Sequence, residues 1–166
     1  MTANKDDIWS ADTYGNKVAP FVATLTEKIV SWLEPQPTDQ ILDVGCGEGV
    51  LTAKLSQHVN RIVGIDASPN MISHFQTTHP TIDCRVVDCR YLDSDSELTT
   101  ASFDKVFSNA ALHWILRDPT TRLNCLRGCF EALKPGGVFV TGWFWKVCLS
   151  KKQEMPRLGG FQPLKR

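Results

Sequence analysis

Three glycines at alternate positions, 45, 47 and 49, separate a short apolar run from a longer amphipathic one, and that juncture constrains the fold more than any other feature. The run Gln40-Ile41-Leu42-Asp43-Val44 reads as a strand, and Val50 to His58 reads as a helix. A strand that feeds a helix through Gly45-Cys46-Gly47-Glu48-Gly49 must turn sharply. Glycine allows both the turn and a close backbone approach that a Cβ would block.

The alternation repeats downstream. Residues Arg61 to Ile65 read as a strand, and Pro69 to Thr78 as a helix with Ser68 as its N-cap. Ile82 to Val87 and Phe103 to Phe107 read as two further strands. Pro119 to Leu133 follows as a helix, with proline in its first turn and Pro135-Gly136-Gly137 behind it. Val138 to Phe144 is a fifth strand. Upstream, Val18 to Leu33 carries apolar residues at helical spacing and stops at Pro35 and Pro37. Apolar strands alternating with helices predict an α/β fold, with a doubly wound, mostly parallel sheet covered on both faces. In such sheets ligands sit beyond the carboxyl ends of the strands, where the strand order reverses.

Composition narrows the function classes. The 18 basic and 18 acidic side chains cancel, so no net field draws the chain to nucleic acid or to an anionic membrane. No apolar run approaches a membrane span, and Met1 to Asp7 is polar rather than signal-like. The six cysteines, at 46, 84, 89, 125, 129 and 148, form no CxxC pair and lack zinc-finger partners. No metal site is expected, most of the thiols read as small buried hydrophobes, and the expected compartment is cytoplasmic.

The residues that follow the strands carry the chemistry. Asp43 leads the glycine turn, and the helix beginning at Val50 points its free N–H groups at the same space, where a ligand carboxylate is welcome. Glycine turns of this kind also occur without ligands; the leading aspartate and three alternating glycines favour the ligand reading. The nicotinamide fingerprint would put its third glycine at position 50, which is Val50. Asp66 ends the second strand in Val63-Gly64-Ile65-Asp66-Ala67-Ser68, where an acidic group can accept both hydroxyls of a ribose; the alternative is a plain helix cap. Asp88, in Val86-Val87-Asp88-Cys89-Arg90, can accept an adenine amino group or make a local turn.

The run Ile41-Leu42-Asp43-Val44-Gly45-Cys46-Gly47-Glu48-Gly49 resembles the first motif of seven-stranded, Rossmann-like methyltransferases that use S-adenosylmethionine (SAM). Phe103-Asp104-Lys105-Val106-Phe107-Ser108-Asn109-Ala110-Ala111-Leu112-His113-Trp114 resembles their fourth-strand motif, particularly that of trans-aconitate methyltransferase-like enzymes. Leu133-Lys134-Pro135-Gly136-Gly137 is similar to the turn before their fifth strand. The resemblance implies SAM as cofactor, held by Asp43, Gly45, Cys46, Gly47 and Gly49 in the turn. It places Asp66 and Ala67 at the ribose, Asp88 and Cys89 at the adenine, and Asn109 near the methionine end. Tyr14, in an N-terminal segment, would fold over the cofactor. The acceptor implied is a small molecule, with a carboxylic acid among the candidates.

A carboxylate acceptor is already ionised at neutral pH and needs no general base. His113 is the one weak candidate for a catalytic residue, since imidazole titrates near neutrality, but it sits between Leu112 and Trp114 and reads more readily as packing. Arg90, Arg117 and Arg122 are positioned to meet an acidic acceptor, although each reads equally as a solvated side chain. Two alternatives stand beside the methyltransferase: a truncated SAM-binding remnant without turnover, and a nicotinamide-dependent oxidoreductase, which Val50 opposes.

The resemblance stops near Gly142. The chain divides into a helical cap segment over 1–37, a SAM-binding core over 38–145 and an irregular tail over 146–166, in which Pro156, Gly159, Gly160 and Pro163 would interrupt a strand. The family's last two strands would then be missing. The fifth strand, with Val138, Phe139, Val140, Trp143, Phe144 and Trp145, would lie at an open edge prone to self-association.

Overall fold

A computed structural model describes residues 30–142 and, as backbone, the strand at 147–150. Within it lie β1 (Gln40–Val44), α1 (Val50–Ser56), β2 (Arg61–Asp66), α2 (Pro69–Thr78) and β3 (Asp83–Val86). A 3₁₀ segment (Cys89–Ser94), β4 (Phe103–Asn109), α3 (Leu112–Ile115), α4 (Arg122–Ala132), β5 (Leu133–Gly142) and β6 (Val147–Ser150) follow. A helical turn at residues 30–33 precedes β1; the rest of the helix expected from Val18, and Tyr14 with it, lie outside the described residues.

The strands form one sheet in the order β3-β2-β1-β4-β5-β6. The first five are parallel. Strand order reverses between β1 and β4, which pair directly, Asp43 opposite Phe107. The period of two in the apolar strands sorts side chains between the faces. Leu42, Val44, Val63, Ile65 and Val106 pack beneath α4. Ile41, Ile62, Phe107 and Val140 face Leu33 and α1's Leu55.

Helix α4 buries Cys125, Gly128, Cys129 and Ala132, one stripe at helical spacing. A Cβ on Gly128 would stand 2.6 Å from the backbone of the 3₁₀ segment, so small residues let the two elements touch. Cys84, Cys89, Cys125 and Cys129 are buried free thiols, as their apolar setting predicts. Ser68 caps α2 by accepting from the Met71 N–H at 3.2 Å, and Pro69 opens that helix. α2 in turn buries Phe75 completely, roughly 1.5–3 kcal/mol of favourable transfer.

Two expectations change. Pro135-Gly136-Gly137 is not a loop ahead of the fifth strand but lies inside β5, which begins at Leu133. Gly136 adopts φ +82°, and the β4–β5 register shifts between Phe103 and Lys105, so the turn residues form a bulge in a strand that is already paired. More consequentially, β5 is not an edge. β6 pairs with it antiparallel, Val138 opposite Ser150 and Thr141 opposite Val147. The irregular tail expected from Lys146 is therefore a strand at 147–150. Val147-Cys148-Leu149 has strand-forming apolar character, and the prolines and glycines that argued against a strand come only later. The self-association argument rested on an open β5 and loses that basis.

Candidate functional site

Four strands of the sheet end side by side in the order β3, β2, β1, β4, and each hands on to one of the residues singled out above. Asp88 follows β3, Asp66 closes β2, the glycine turn follows β1 and Asn109 closes β4. With neighbouring strands about 4.8 Å apart, this row spans roughly 14 Å.

The turn is built around backbone that only glycine tolerates easily. Gly45, Gly47 and Gly49 have φ of +77°, +57° and +83°. Their surroundings differ. A Cβ on Gly45 would lie 2.2 Å from the Ala111 Cβ, and one on Gly49 would lie 2.5 Å from the Phe75 ring. Those two glycines are demanded by packing. A Cβ on Gly47 would meet nothing within 4 Å, so this glycine alone faces open space. Gly49 also serves as N-cap of α1, with no side chain capping the helix and no acidic residue in its first turn. The turn is anchored to β2 as well: the Gly45 and Cys46 N–H groups both donate to the Ile65 carbonyl, at 2.8 and 3.0 Å.

Asp66 links the turn to α2. Its Oδ2 accepts from the Gly47 N–H at 3.0 Å and its Oδ1 from the Ser68 N–H at 2.9 Å. The adjacent Ala67 is exposed. Asp43 sits deeper. It is buried and accepts from the Thr52 hydroxyl at 2.6 Å. Burial pushes its carboxyl up to about 7; the Thr52 hydrogen bond opposes that shift and the Asp66 charge adds to it. Two carboxyl groups thus converge on the turn, of which Asp66 is the one bonded to its backbone and Asp43 the one that burial drives toward its protonated form.

Asp88 is half-buried and held by Arg90. The Arg90 backbone N–H and Nε reach Oδ1 at 3.0 Å each, while Nη2 reaches Oδ2 at 2.6 Å. Hydrogen bonds from that guanidinium keep the Asp88 carboxyl below the usual carboxylate range. Arg90 is thereby committed to Asp88, which displaces it from the group of arginines offered for an acidic acceptor. Cys89 turns its buried side chain into the core, leaving only its backbone to meet a ligand. Cys46 is half-buried, its thiol against Gly64 and its Sγ 3.7 Å from the Gly47 carbonyl.

On the β4 side, Asn109 Oδ1 is buried with no hydrogen-bond partner among the described residues. An unmet buried acceptor costs about 1–3 kcal/mol, so the position suits a ligand donor. The next residue, Ala110, has φ +57° and ties β4 to β5 through its N–H to the Gly142 carbonyl. Strain of this kind gathers at functional sites. Ala111 and Ile115 then carry α3 across the glycine turn.

His113 packs against Trp114, ring centroids 4.9 Å apart, and burial with the nearby Arg117 charge lowers its pKa from the ordinary 6.5. Arg117 lies over the Trp114 ring at 4.2 Å. Arg122 is exposed at the start of α4. The Asp88–Arg90 pairing is the feature that sequence reasoning missed. Its signal was present, since a carboxylate two residues before an arginine is within reach after a strand end. Among the described residues, no cluster of His, Cys, Asp and Glu is arranged to hold a metal ion, and no helix is long and apolar enough to cross a membrane.

A family model described as a methyltransferase domain matches residues 41–137, more than half of the chain. An uncharacterized methyltransferase of Schizosaccharomyces pombe is 43% identical over 135 residues, covering 81% of this chain and 51% of the relative. The trans-aconitate 2-methyltransferase of Deinococcus radiodurans is 28% identical over 132 residues, with 78% and 47% covered. The chain spans about half the length of the curated relatives it matches. Among solved structures, phosphoethanolamine N-methyltransferase 1 of Haemonchus contortus, in complex with phosphoethanolamine and S-adenosylhomocysteine, superimposes with a TM-score of 0.64. It is 19% identical, with 78% of this chain and 30% of that one covered, a likeness of fold.

Proposed function

The chain belongs to the methyltransferase-domain family, and from that membership we propose that it binds SAM in the crevice between β1 and β4 and transfers the methyl group to a small-molecule acceptor. The acceptor proposed is a carboxylic acid, supported by the likeness to the trans-aconitate enzyme.

The observation that carries the reading is the bond from the Gly47 N–H to Asp66 Oδ2 at 3.0 Å. In a dinucleotide site the turn amides face an anionic pyrophosphate. Here a carboxylate occupies that amide, and the buried Asp43 adds a second acidic group. The Asp66 carboxylate on that amide opposes a phosphate there, while Asp43, raised to about 7 by burial, is only partly ionised at neutral pH. Val50 in place of the third nicotinamide glycine agrees.

The residues present fit the cofactor. In strand order, Asp88 would take the adenine amino group, with the Cys89 backbone beside it. Asp66 and Ala67 would take the ribose. Gly45 to Gly49, with Asp43 behind them, would take the amino-acid end, and Asn109 Oδ1 would accept from a ligand donor on the β4 side. When bound, SAM supplies an electrophilic methyl on a positively charged sulfonium, which leaves as neutral S-adenosylhomocysteine.

The protein's own contribution is position and charge. Aligning a nucleophile with the reacting carbon lowers a barrier by roughly 7–11 kcal/mol without acid–base help. An ionised carboxylate needs no deprotonation, and no general base is assigned. His113, its pKa lowered by burial, packs against Trp114. Tyr14 remains proposed as part of the cover over the site.

Calorimetric titration of the full chain with SAM and with NAD tests the cofactor; SAM binding without NAD binding is expected. Asp66→Ala should weaken SAM binding by about 1.5–3 kcal/mol, the worth of a charge-assisted hydrogen bond. Unchanged affinity would remove Asp66 from the site. Release of S-adenosylhomocysteine with carboxylic acids, and not with amines or phenols, is the expected acceptor result. Binding with no release for any acceptor would leave a SAM-binding protein without turnover.

A further inference from the structure

The Asp88 carboxylate is more tightly constrained than a ligand-binding aspartate on a strand end requires. Oδ1 accepts two hydrogen bonds, from the Arg90 backbone N–H and Nε, both at 3.0 Å. Oδ2 accepts Nη2 at 2.6 Å and shares Nε at 3.1 Å. A carboxylate oxygen has two lone pairs. Three Arg90 N–H groups therefore meet four carboxylate lone pairs, with Nε shared almost equally between the two oxygens at 3.0 and 3.1 Å, and one acceptor position is left over. The planar fork also fixes the carboxylate plane, since a bidentate arginine leaves little freedom about the terminal torsion.

Arg90 also lies beside an aromatic ring and within the field of a second carboxylate. Its guanidinium carbon stands 5.8 Å from the Tyr91 ring centroid, and the Asp118 charge, on the connection between α3 and α4, acts on it. Asp118 is in turn fixed by the Thr120 N–H at 2.8 Å and the Thr120 hydroxyl at 2.6 Å. The other arginines beside β3, Arg61 and Arg85, pair with Asp83 instead, so the Asp88 fork is a separate device.

We propose that Arg90 is a positioning residue for base recognition: by engaging three of the four carboxylate lone pairs and fixing the carboxylate plane, it leaves a single Asp88 acceptor position for the exocyclic amino group of adenine and so sets the preference for adenine over hypoxanthine. The inference rests on the assignment of Asp88 to the adenine. Hypoxanthine carries a carbonyl oxygen where adenine carries the amino group, so a fixed carboxylate oxygen meets an acceptor in place of a donor. A carboxylate free to rotate would relieve that mismatch.

The test is calorimetric titration of the full chain with S-adenosylhomocysteine and with S-inosylhomocysteine. The unmodified chain should favour the adenosyl ligand by roughly tenfold or more, the range expected for one hydrogen bond to a charged group. Arg90→Ala retains the backbone N–H to Asp88 and removes an exposed side chain, so it should fold. In this variant the preference should fall severalfold, chiefly through weaker adenosyl binding. Arg90→Lys, which restores charge without the fork, should recover affinity but not the full preference. An Arg90→Ala preference equal to that of the unmodified chain, or equal losses for both ligands, would overturn the proposal. Asp88→Asn separates the two assignments. If it leaves the preference intact, Asp88 does not read the base; if it abolishes the preference while Arg90→Ala does not, only the role given to Arg90 fails.

Discussion

The three glycines of the turn share a backbone conformation, yet replacing them one at a time should have opposite consequences. Gly49→Ala carries two costs. A non-glycine residue at φ +83° adds strain of about 1–2 kcal/mol. Its Cβ would also stand 2.5 Å from the ring of Phe75, which is fully buried and has no room to retreat. Overpacking of that kind costs about 1–3 kcal/mol, giving a total on the order of 2–5 kcal/mol. At about 2–4 °C per kcal/mol for a chain of this size, the melting temperature should fall by roughly 5–15 °C. Gly47→Ala, at φ +57° with nothing within 4 Å of the added carbon, carries the strain alone. In both variants about 0.4–1 kcal/mol of the cost is offset, because alanine restricts the unfolded chain. The Gly47 variant should therefore melt within a few degrees of the unmodified protein, at most about 1.6 kcal/mol away. Its added methyl would occupy the open space over the turn, and affinity for S-adenosylhomocysteine should drop by about tenfold or more, equivalent to about 1.4 kcal/mol. Thermal or urea unfolding and calorimetric titration on the same samples decide the matter. Equal destabilisation by the two substitutions would refute the packing distinction. A Gly47→Ala protein that binds as tightly as its parent would refute the placement of the ligand.

Two further outcomes are expected. Asp43 has a carboxyl raised from 3.8 to about 7, so between those values the folded protein holds a proton that the unfolded chain has released, and stability falls as pH rises through that window. His113, lowered from 6.5, acts in the opposite sense below that pH, and the depressed Asp83 and Asp104 carboxyls lose their contribution only at still lower pH. The diagnostic is therefore the difference between the parent and Asp43→Asn: urea-unfolding free energies at pH 5 to 7 should converge toward low pH and diverge in favour of the variant toward pH 7, and parallel curves would contradict the raised value. Asn109→Ala removes a buried acceptor that has no partner among the described residues, so it should cost little stability, within about 1 kcal/mol, while weakening S-adenosylhomocysteine binding; a large loss of stability with binding intact would place Asn109 in the framework instead.

Much of this molecule is local and is therefore written along the chain. Apolar strands, the helix capped at Ser68, and glycines where φ turns positive each follow from the residues within one or two turns of themselves. The parallel sheet follows from that alternation by the rules of chain handedness, and the expectation of a ligand at its carboxyl ends follows from the sheet. What a linear string does not disclose is which partner each polar group finds. Asp43 reads as a ligand contact in sequence, yet in the fold it is buried behind the turn with Thr52, while Asp66 holds the turn amide. Asp88 and Arg90 are two residues apart, but only the 3₁₀ segment that follows brings the guanidinium round onto the carboxylate.

The two largest departures, the bulged start of β5 and the pairing of β6, are matters of register between strands. Register depends on which neighbour offers free backbone groups, and that is settled across the sheet. Composition and spacing determined what kind of surface this chain builds and where on it a ligand is expected. Only the tertiary structure decided which polar groups hold one another, because burial and long-range hydrogen bonds are shared among segments up to 71 residues apart.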